Sequence, residues 1–515
     1  MSETRTLWAQ ADLQPDKVAV VTSGGEIETF GDIAKVTNRI SNALLAQGIR
    51  PGETVAGAIT NRAEALAVYA ACVQIGLYYV PMNSHLGADE IAYILTDAKC
   101  QLLVGDERIA DVCTIAADSA GIPQDRRVAV GSVPGFRKLD DFIDTASDTR
   151  PEHLRLGNRM PYTSGTTGRP KGVRWLLPED GTDVDATISA AVTGLFAGYG
   201  MPTDASGVHL IAGPLHHQAP LAFGYSALML GNTVVLMEKW GPEATLSLIQ
   251  DFGVTTTHLV PTMFHRMLLL PQSTRDGYDV SSLRKVLHAA APCPIDTKRK
   301  MIEWLGPIVD EYYAASEGGG TYVSAEEWLR RPGTVGRAKK GSAVKVLNEE
   351  RDDCKAGEIG TVFLLITQPF EYHNDPKKTA ESRHEGYFNV GDIGYLDPEG
   401  YLYLQDRKSN VIISGGVNIY PAEVENLLST HPAVADVAVF GVPNDEWGEE
   451  VKAVVQRVGT VGTERELIDF CRVHLAHFKC PRSIDFVDEL PRLDNGKLYK
   501  RELRDAYWRD AGRLI

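Results

Sequence analysis

Apolar residues recur at helical spacing at Ile33, Val36, Ile40 and Leu44, and Gly48 follows where a glycine closes a helix. The short apolar run from Thr54 to Ile59 then predicts a strand. A continuous apolar stretch through Ala65–Val73 predicts a buried helix leading to a strand at Tyr78–Val80, and Ile91–Leu95 with Leu102–Val104 repeats the pattern. Further strands are predicted at Val208–Ala212, Thr233–Leu236, Thr257–Leu259 and Lys285–Ala289. Helix and strand in alternation, with short Gly and Pro breaks, predict an α/β unit of largely parallel sheets flanked by helices.

The pattern changes near residue 400. Tyr401–Gln405 reads as a strand, and Asp406-Arg407-Lys408-Ser409 is a polar break. Strands near Val437–Val442, Ala453–Val458 and Ile484–Val487, with helices through Pro421–Leu428 and Glu464–Leu475, predict a smaller α+β unit. Pro421 suits the first turn of its helix. The division expected is therefore a large unit 1–405, a hinge 406–409 and a small unit 410–515. No internal repeat or low-complexity run is seen.

A length of 515 residues exceeds what one core holds, in keeping with that division. A net charge of −16 leaves no basic excess to neutralise a nucleic-acid backbone, although a local cluster still suffices for a nucleotide. Seven cysteines, scattered and never spaced C-x-x-C, form neither a disulfide framework nor a zinc site and suit a reducing cytosol. The amino terminus has no apolar signal-peptide core. The most apolar stretch, from Ala65 to Val80, is broken by Gln74 and Gly76 and is too short to span a bilayer. A cytoplasmic protein with no transmembrane segment is expected.

The candidate chemistry centres on YTSGTTGRPKGV, from Tyr162 to Val173. Hydroxyls at Thr163, Ser164, Thr166 and Thr167 alternate with Gly165, Gly168 and Gly172, and the run ends on Arg169 and Lys171. Such a composition suits a triphosphate, because glycine lets backbone N–H groups approach an anion while hydroxyls and cations add donors. It is not a Walker A loop: Pro170 stands where the second glycine is needed, and Gly172 where Ser or Thr must follow the lysine. The preceding Arg159-Met160-Pro161 is too short to read as a strand.

TSGTTGRPKG resembles the phosphate-binding signature of the adenylate-forming superfamily, the acyl-CoA synthetases, luciferases and peptide-synthetase adenylation domains, with the acyl-CoA synthetase branch nearest. Further segments match that family in order. Pro214-Leu215-His216-His217-Gln218 resembles its P-x-x-H-x motif and implies that His217 lies near the acyl pocket and thioester tunnel, a satisfied core histidine being the alternative. His288-Ala289-Ala290-Ala291-Pro292 resembles the turn that packs on adenine. Tyr312-Tyr313-Ala314-Ala315-Ser316-Glu317 is similar to Y-G-x-T-E, with Ala314 for Gly and Ser316 for Thr. The resemblance implies a tyrosine on adenine, a hydroxyl on phosphate, and Glu317 with Thr163 at a Mg²⁺ ion, for which a hard carboxylate is the right ligand.

Val390-Gly391-Asp392 resembles T-G-D, whose aspartate accepts both ribose hydroxyls, and Arg407 matches the arginine that reaches ribose and phosphate. Ser409 falls at the hinge pivot, where Asp or Lys is usual. Ser414, Gly415 and Gly416 match the loop lining the pantetheine tunnel, and Lys497 matches the mobile adenylation lysine. Together these imply an ATP-, Mg²⁺- and coenzyme A-dependent acyl-CoA synthetase that works through acyl-AMP and releases AMP and pyrophosphate. The alternative is a ligase that hands the adenylate to another acceptor. His217, Leu221, Phe223, Val260, Met263 and Gly318 are expected at the acyl pocket. Their low charge points to a hydrophobic acid: fatty, alicyclic, aromatic or steroidal. No nucleic-acid partner is implied, and a homodimer is left open.

Overall fold

The computed structural model describes residues 5–163, 170–492 and 498–510. The helix anticipated from Ile33 to Leu44 is Phe30–Ala46. Thr29 caps it and Asp32 returns the hydrogen bond to the Thr29 backbone, satisfying amide groups that a helix start leaves open. At its far end Gly48 takes φ +75°, the left-handed conformation that closes a helix without a Cβ clash. The helix Ala63–Gln74 buries every residue but Glu64, so its apolar run is a core segment rather than a span. No described helix is long and apolar enough to cross a membrane.

Two sheets share this helical packing. One has six parallel strands, its centre formed by Arg127–Val130, Leu102–Asp106, Thr54–Gly57 and Tyr78–Pro81. The other has nine strands and is parallel from Val18–Thr22 through Thr233–Leu236, Val208–Ile211, Thr256–Leu259 and Lys285–His288 to Val309–Ala315. Both edges are antiparallel: Ile27–Thr29 beside Val18–Thr22 at one, and Gly318–Val323 folded back on Val309–Ala315 at the other. A third, antiparallel sheet carries Asp392–Leu396 beside Leu402–Arg407. Parallel strands deliver their carboxyl ends to one edge, where an α/β sheet places ligands. His288, Leu259 and the Val309–Ala315 strand all end there.

Residues beyond 410 form a separate sheet, with the long hairpin Val434–Asn444 and Gly448–Arg457 at its middle and its own apolar core around Val424, Val439 and Leu467. Pro421 opens the helix Pro421–Leu428 as expected. Two local expectations are corrected. The strand read as Tyr401–Gln405 runs Leu402–Arg407, because Asp406 and Arg407 continue the ladder opposite Ile393 and Asp392. The polar residues there are thus strand, and the break is the single 3₁₀ turn Lys408–Asn410. Ahead of the glycine loop, Asn158–Arg159 and Tyr162–Thr163 are two short strands where none was legible, the first paired with the distant Tyr78–Pro81 and the second with Lys171–Trp175 just after the loop.

Candidate active site

A cleft of about 1870 Å³ opens at the carboxyl edge of the nine-stranded sheet and is closed on its other side by residues beyond 405. Chain order explains how its parts meet. Tyr313 and Asp392 are far apart in sequence, yet the Tyr313 hydroxyl donates to Asp392 Oδ2 at 2.6 Å. Arg407 lies opposite Asp392 in the ladder and puts Nε 3.2 Å from Oδ1. The Asp392 carboxylate is therefore held from both sides and faces the cleft. Burial, reinforced by that carboxylate, pushes the Tyr313 phenol far up, so it remains a neutral donor.

Glu317 also lines the cleft and is 7% exposed. The Tyr372 hydroxyl donates to its Oε1 at 2.6 Å, and Trp175 Nε1 donates to its backbone carbonyl at 3.3 Å. Burial raises the Glu317 carboxyl above the usual range, while Tyr372, Lys378 and Arg407 pull it back. A metal ion beside this carboxylate would offset the desolvation penalty by favouring the ionised form. No group of three or more His, Cys, Asp or Glu among the described residues could hold a metal. Magnesium at Glu317 would draw its remaining oxygens from phosphate and water, the usual arrangement for that ion. The donor set fits it.

The turn Ala289–Pro292 lines the same cleft, with Ala290 at φ +77°. A left-handed alanine is uncommon, and this ledge of Ala289–Pro292 gives the cleft only small side chains and backbone. Beneath it, Lys298 is fully buried with Nζ 2.6 Å from Glu311 Oε2 and 4.7 Å from the centre of the Trp328 ring. That pair ties the helix after the ledge to the strand carrying Tyr313.

Other expected residues are distributed unevenly. Thr163 lines the cleft and pairs with Lys171 in a short antiparallel ladder. Lys171 itself is turned onto Asp375, which caps the helix Pro376–Glu381. Ala314, Ala315, Ser316 and His217 all line the cleft, and His217 Nε2 lies 3.1 Å from His216 Nε2. Phe223, Val260 and Met263 line it as well. Leu221 does not: it is wholly buried in the main core. The periodicity of the helix Gln218–Met229 accounts for this, since Gln218, Ala219 and Ala222 share the cleft-facing stripe and Leu221 turns inward. Gly318 is likewise off the lining, at φ +119° in the reversal to the next strand. Ser409 lies on the cleft in its 3₁₀ turn. Ser414 and Gly415–Gly416 form a hairpin end away from the lining, whereas Leu498, Tyr499 and Lys500 lie on it. Ser164, Gly165, Thr166, Thr167, Gly168 and Lys497 fall outside the described residues.

Four further cleft residues, Tyr372, Lys378, Arg159 and Gln218, had no role legible in the sequence. With its amide turned to the orientation its neighbours require, Gln218 donates to the Ser316 carbonyl at 3.2 Å and accepts from Arg159 Nη2 at 3.1 Å. Tyr372 and Lys378 sit in no short motif, and only the register of distant strands brings these side chains together.

Two buried carboxylates, Asp392 and Glu317, and the turn Ala289–Pro292 thus line one cleft at the carboxyl edge of a parallel sheet. The chain belongs to the AMP-binding enzyme family, in the acyl-CoA synthetase branch of the adenylate-forming superfamily: that family matches residues 7–369, and its carboxyl-terminal domain matches residues 423–497. It is 32% identical to the fatty acid–[acyl-carrier-protein] ligase ScoC of Streptomyces coeruleorubidus, over 98% of this chain and 96% of that one. It is 33% identical to a feruloyl-CoA synthase of an Amycolatopsis species, over 97% of each. Among solved structures, ATP-bound MatB from Rhodopseudomonas palustris superposes with a TM-score of 0.81 at 29% identity, covering 98% and 99% of the two chains.

Proposed function

We propose that this ligase activates a hydrophobic carboxylic acid with ATP and passes the acyl group to coenzyme A. The observation that carries the reading is the convergence of Asp392, Arg407, Tyr313 and Glu317 on one cleft whose far end is aromatic. In this reading Asp392 accepts from the ribose hydroxyls, the Ala289–Pro292 ledge and the Tyr313 ring flank adenine, and Arg407 reaches the phosphates. Glu317 and Thr163 would hold magnesium, which would supply counter-charge for the phosphates.

A carboxylate and a triphosphate repel strongly in a dry site, so their approach depends on fixed positive groups and N–H donors. Lys171, Lys378 and the loop 163–168 would provide them, with Lys497 delivered by the small unit. The acid oxygen attacks the α-phosphorus, the bond to pyrophosphate breaks, and acyl-AMP forms. Rotation about 406–410 then exchanges Lys497 for the 414–416 loop. The thiol sulfur, having lost its proton, attacks the acyl carbon, and AMP leaves with the electron pair of the broken anhydride bond. No enzyme nucleophile is required.

Pyrophosphate and AMP release, measured on a panel of acids with and without coenzyme A, tests this reading. Thioester with AMP is expected only when both acid and coenzyme A are present. Acyl-AMP that accumulates unchanged with coenzyme A would instead favour transfer to a carrier protein, the acceptor named for the Streptomyces relative.

A further inference from the structure

The aromatic end of the cleft has a definite construction. Tyr312 and Tyr313 are consecutive on one strand, so their side chains leave it on opposite faces. Tyr313 goes to Asp392, and Tyr312 goes to His258, whose Nε2 lies 3.0 Å from the Tyr312 hydroxyl. Around this pair the rings are in contact. The Tyr199 centroid lies 4.7 Å from that of Tyr312 and 5.7 Å from that of Phe223, and Phe223 stacks on His258 at 5.6 Å and 19°. All four line the cleft. Directly behind Phe223 stand Phe196 and His209, each 1% exposed, and His209 is fixed by Thr256 Oγ1 at 2.9 Å. The four rings form one wall of the cleft, and close-packed core holds Phe223 in place from behind.

Besides the Tyr199 phenol, the wall carries one hydrogen-bonded polar pair, the phenol of Tyr312 with the imidazole of His258. Burial drives His258 down to about 4, so the ring is uncharged. In either tautomer of His258 the Tyr312 hydroxyl retains at least one unused position: a lone pair if it donates to Nε2, its hydrogen if it accepts. No described residue takes that position. A hydroxyl on the substrate can fill it in both cases, because a hydroxyl donates and accepts.

We propose that Tyr312 and His258, set between Tyr199 and Phe223, determine acid specificity, selecting a flat aromatic carboxylic acid with a ring hydroxyl over a long unbranched fatty acid. This rests on the ligase reading and narrows its substrate class. Flat rings gain offset or edge contacts with the wall, which a flexible chain obtains only by giving up rotamer freedom.

The test uses the full-length protein with ATP, Mg²⁺ and coenzyme A, following AMP formation on cinnamate, its three ring-monohydroxylated isomers, octanoate and hexadecanoate. Both cinnamate and its hydroxylated isomers are expected to exceed hexadecanoate in kcat/KM. The best hydroxylated isomer should exceed cinnamate by several-fold to about tenfold, the worth of one net hydrogen bond. In Tyr312→Phe, and separately in His258→Gln, the ratio of that isomer to cinnamate should fall toward one. A merely structural role would lower both acids together and leave the ratio intact. Preference for hexadecanoate over every aryl acid overturns the proposal while the ligase reading stands, as does an unchanged ratio in Tyr312→Phe. AMP release from none of the acids overturns the ligase reading itself, and this proposal with it.

Discussion

The Asp406 carboxylate accepts a hydrogen bond at 3.0 Å from the backbone N–H of Ala422, in the first turn of the helix Pro421–Leu428. That helix has no side-chain cap of its own, since Tyr420 stands at the capping position. Asp406 therefore serves as its cap from across the 3₁₀ turn Lys408–Asn410, while also accepting from Asn410 Nδ2 at 2.9 Å. One carboxylate joins the strand before the turn to the helix after it.

Removing that cap has a predictable cost. Asp406→Ala should destabilise the helix 421–428 by about 1 kcal/mol, the usual worth of a capping side chain. Hydrogen exchange at Ala422 and Glu423 should accelerate about five- to tenfold, with little change in the sheet 434–457. Asp406→Asn keeps an acceptor and should recover most of the protection. Unchanged exchange in Asp406→Ala would show that water satisfies the Ala422 amide equally well.

The pair Lys298–Glu311 is a different case, because both charges are out of water. Lys298→Met leaves Glu311 buried without its cation, and losses of about 3–5 kcal/mol are typical of that change. A lower urea midpoint is expected, with weakened ATP affinity, since Glu311 lines the cleft beside the ledge. Adding Glu311→Gln should restore a large part of the stability. A double variant no more stable than Lys298→Met would mean that the loss came from packing against Trp328.

Glu317 offers a test by pH. Burial holds its carboxyl above the ordinary carboxylate range, so the free enzyme loses the ionised form at a higher pH than an exposed glutamate would. Only the ionised form binds a hard cation. Pyrophosphate release, as kcat/KM for ATP, should therefore fall with decreasing pH through that raised value, and more Mg²⁺ should move the fall lower. Glu317→Gln should lack this limb and lose adenylation by about 10²–10³, the scale of one electrostatic contact in a site of this kind. A full acidic limb in Glu317→Gln would assign the titration to another group.

These groups differ in how far the sequence announced them. The strands around Val208, Thr233 and Lys285 were legible because a buried parallel strand is a short apolar run between breaks, and that signal is local. The superfamily itself was legible from Gly165–Gly172 and the later motifs in order, and the match to the AMP-binding enzyme family agrees. The inward turn of Leu221 was not, because its helix is apolar nearly all round and offers no contrast to orient it. Tyr372 and Lys378 escaped notice for another reason. Nothing in their neighbourhood marks them, and their nearness to Glu317 follows from the pairing of Phe370–Tyr372 with the strand Lys171–Trp175. The aromatic wall lies between these cases: Phe223 was anticipated, but its meeting with Tyr199, His258 and Tyr312 depends on strand order in the sheet.

The two ends of the small unit should fail in opposite ways. Leu498–Lys500 line the cleft and the 414–416 hairpin does not, and in the proposed mechanism the two segments serve different half-reactions. Lys497→Ala should then lose acyl-AMP formation by about 10²–10³, because its charge is wanted where the carboxylate meets the α-phosphate. Supplied with synthetic acyl-AMP and coenzyme A, the same variant should still form thioester at close to the wild-type rate if the small unit rotates as proposed. Gly416→Leu should behave in reverse. Gly416 has φ +81°, and nothing lies within 4 Å of the point a Cβ would occupy, so a leucine would project into open space at a backbone cost of about 1–2 kcal/mol. Pyrophosphate release should persist, and thioester formation should fail once that side chain turns into the path of the thiol. Rapid-quench measurement of each half-reaction separates these outcomes. Equal damage to both halves in both variants would mean that the small unit does not exchange its faces, and the two-state mechanism would have to be abandoned for this chain.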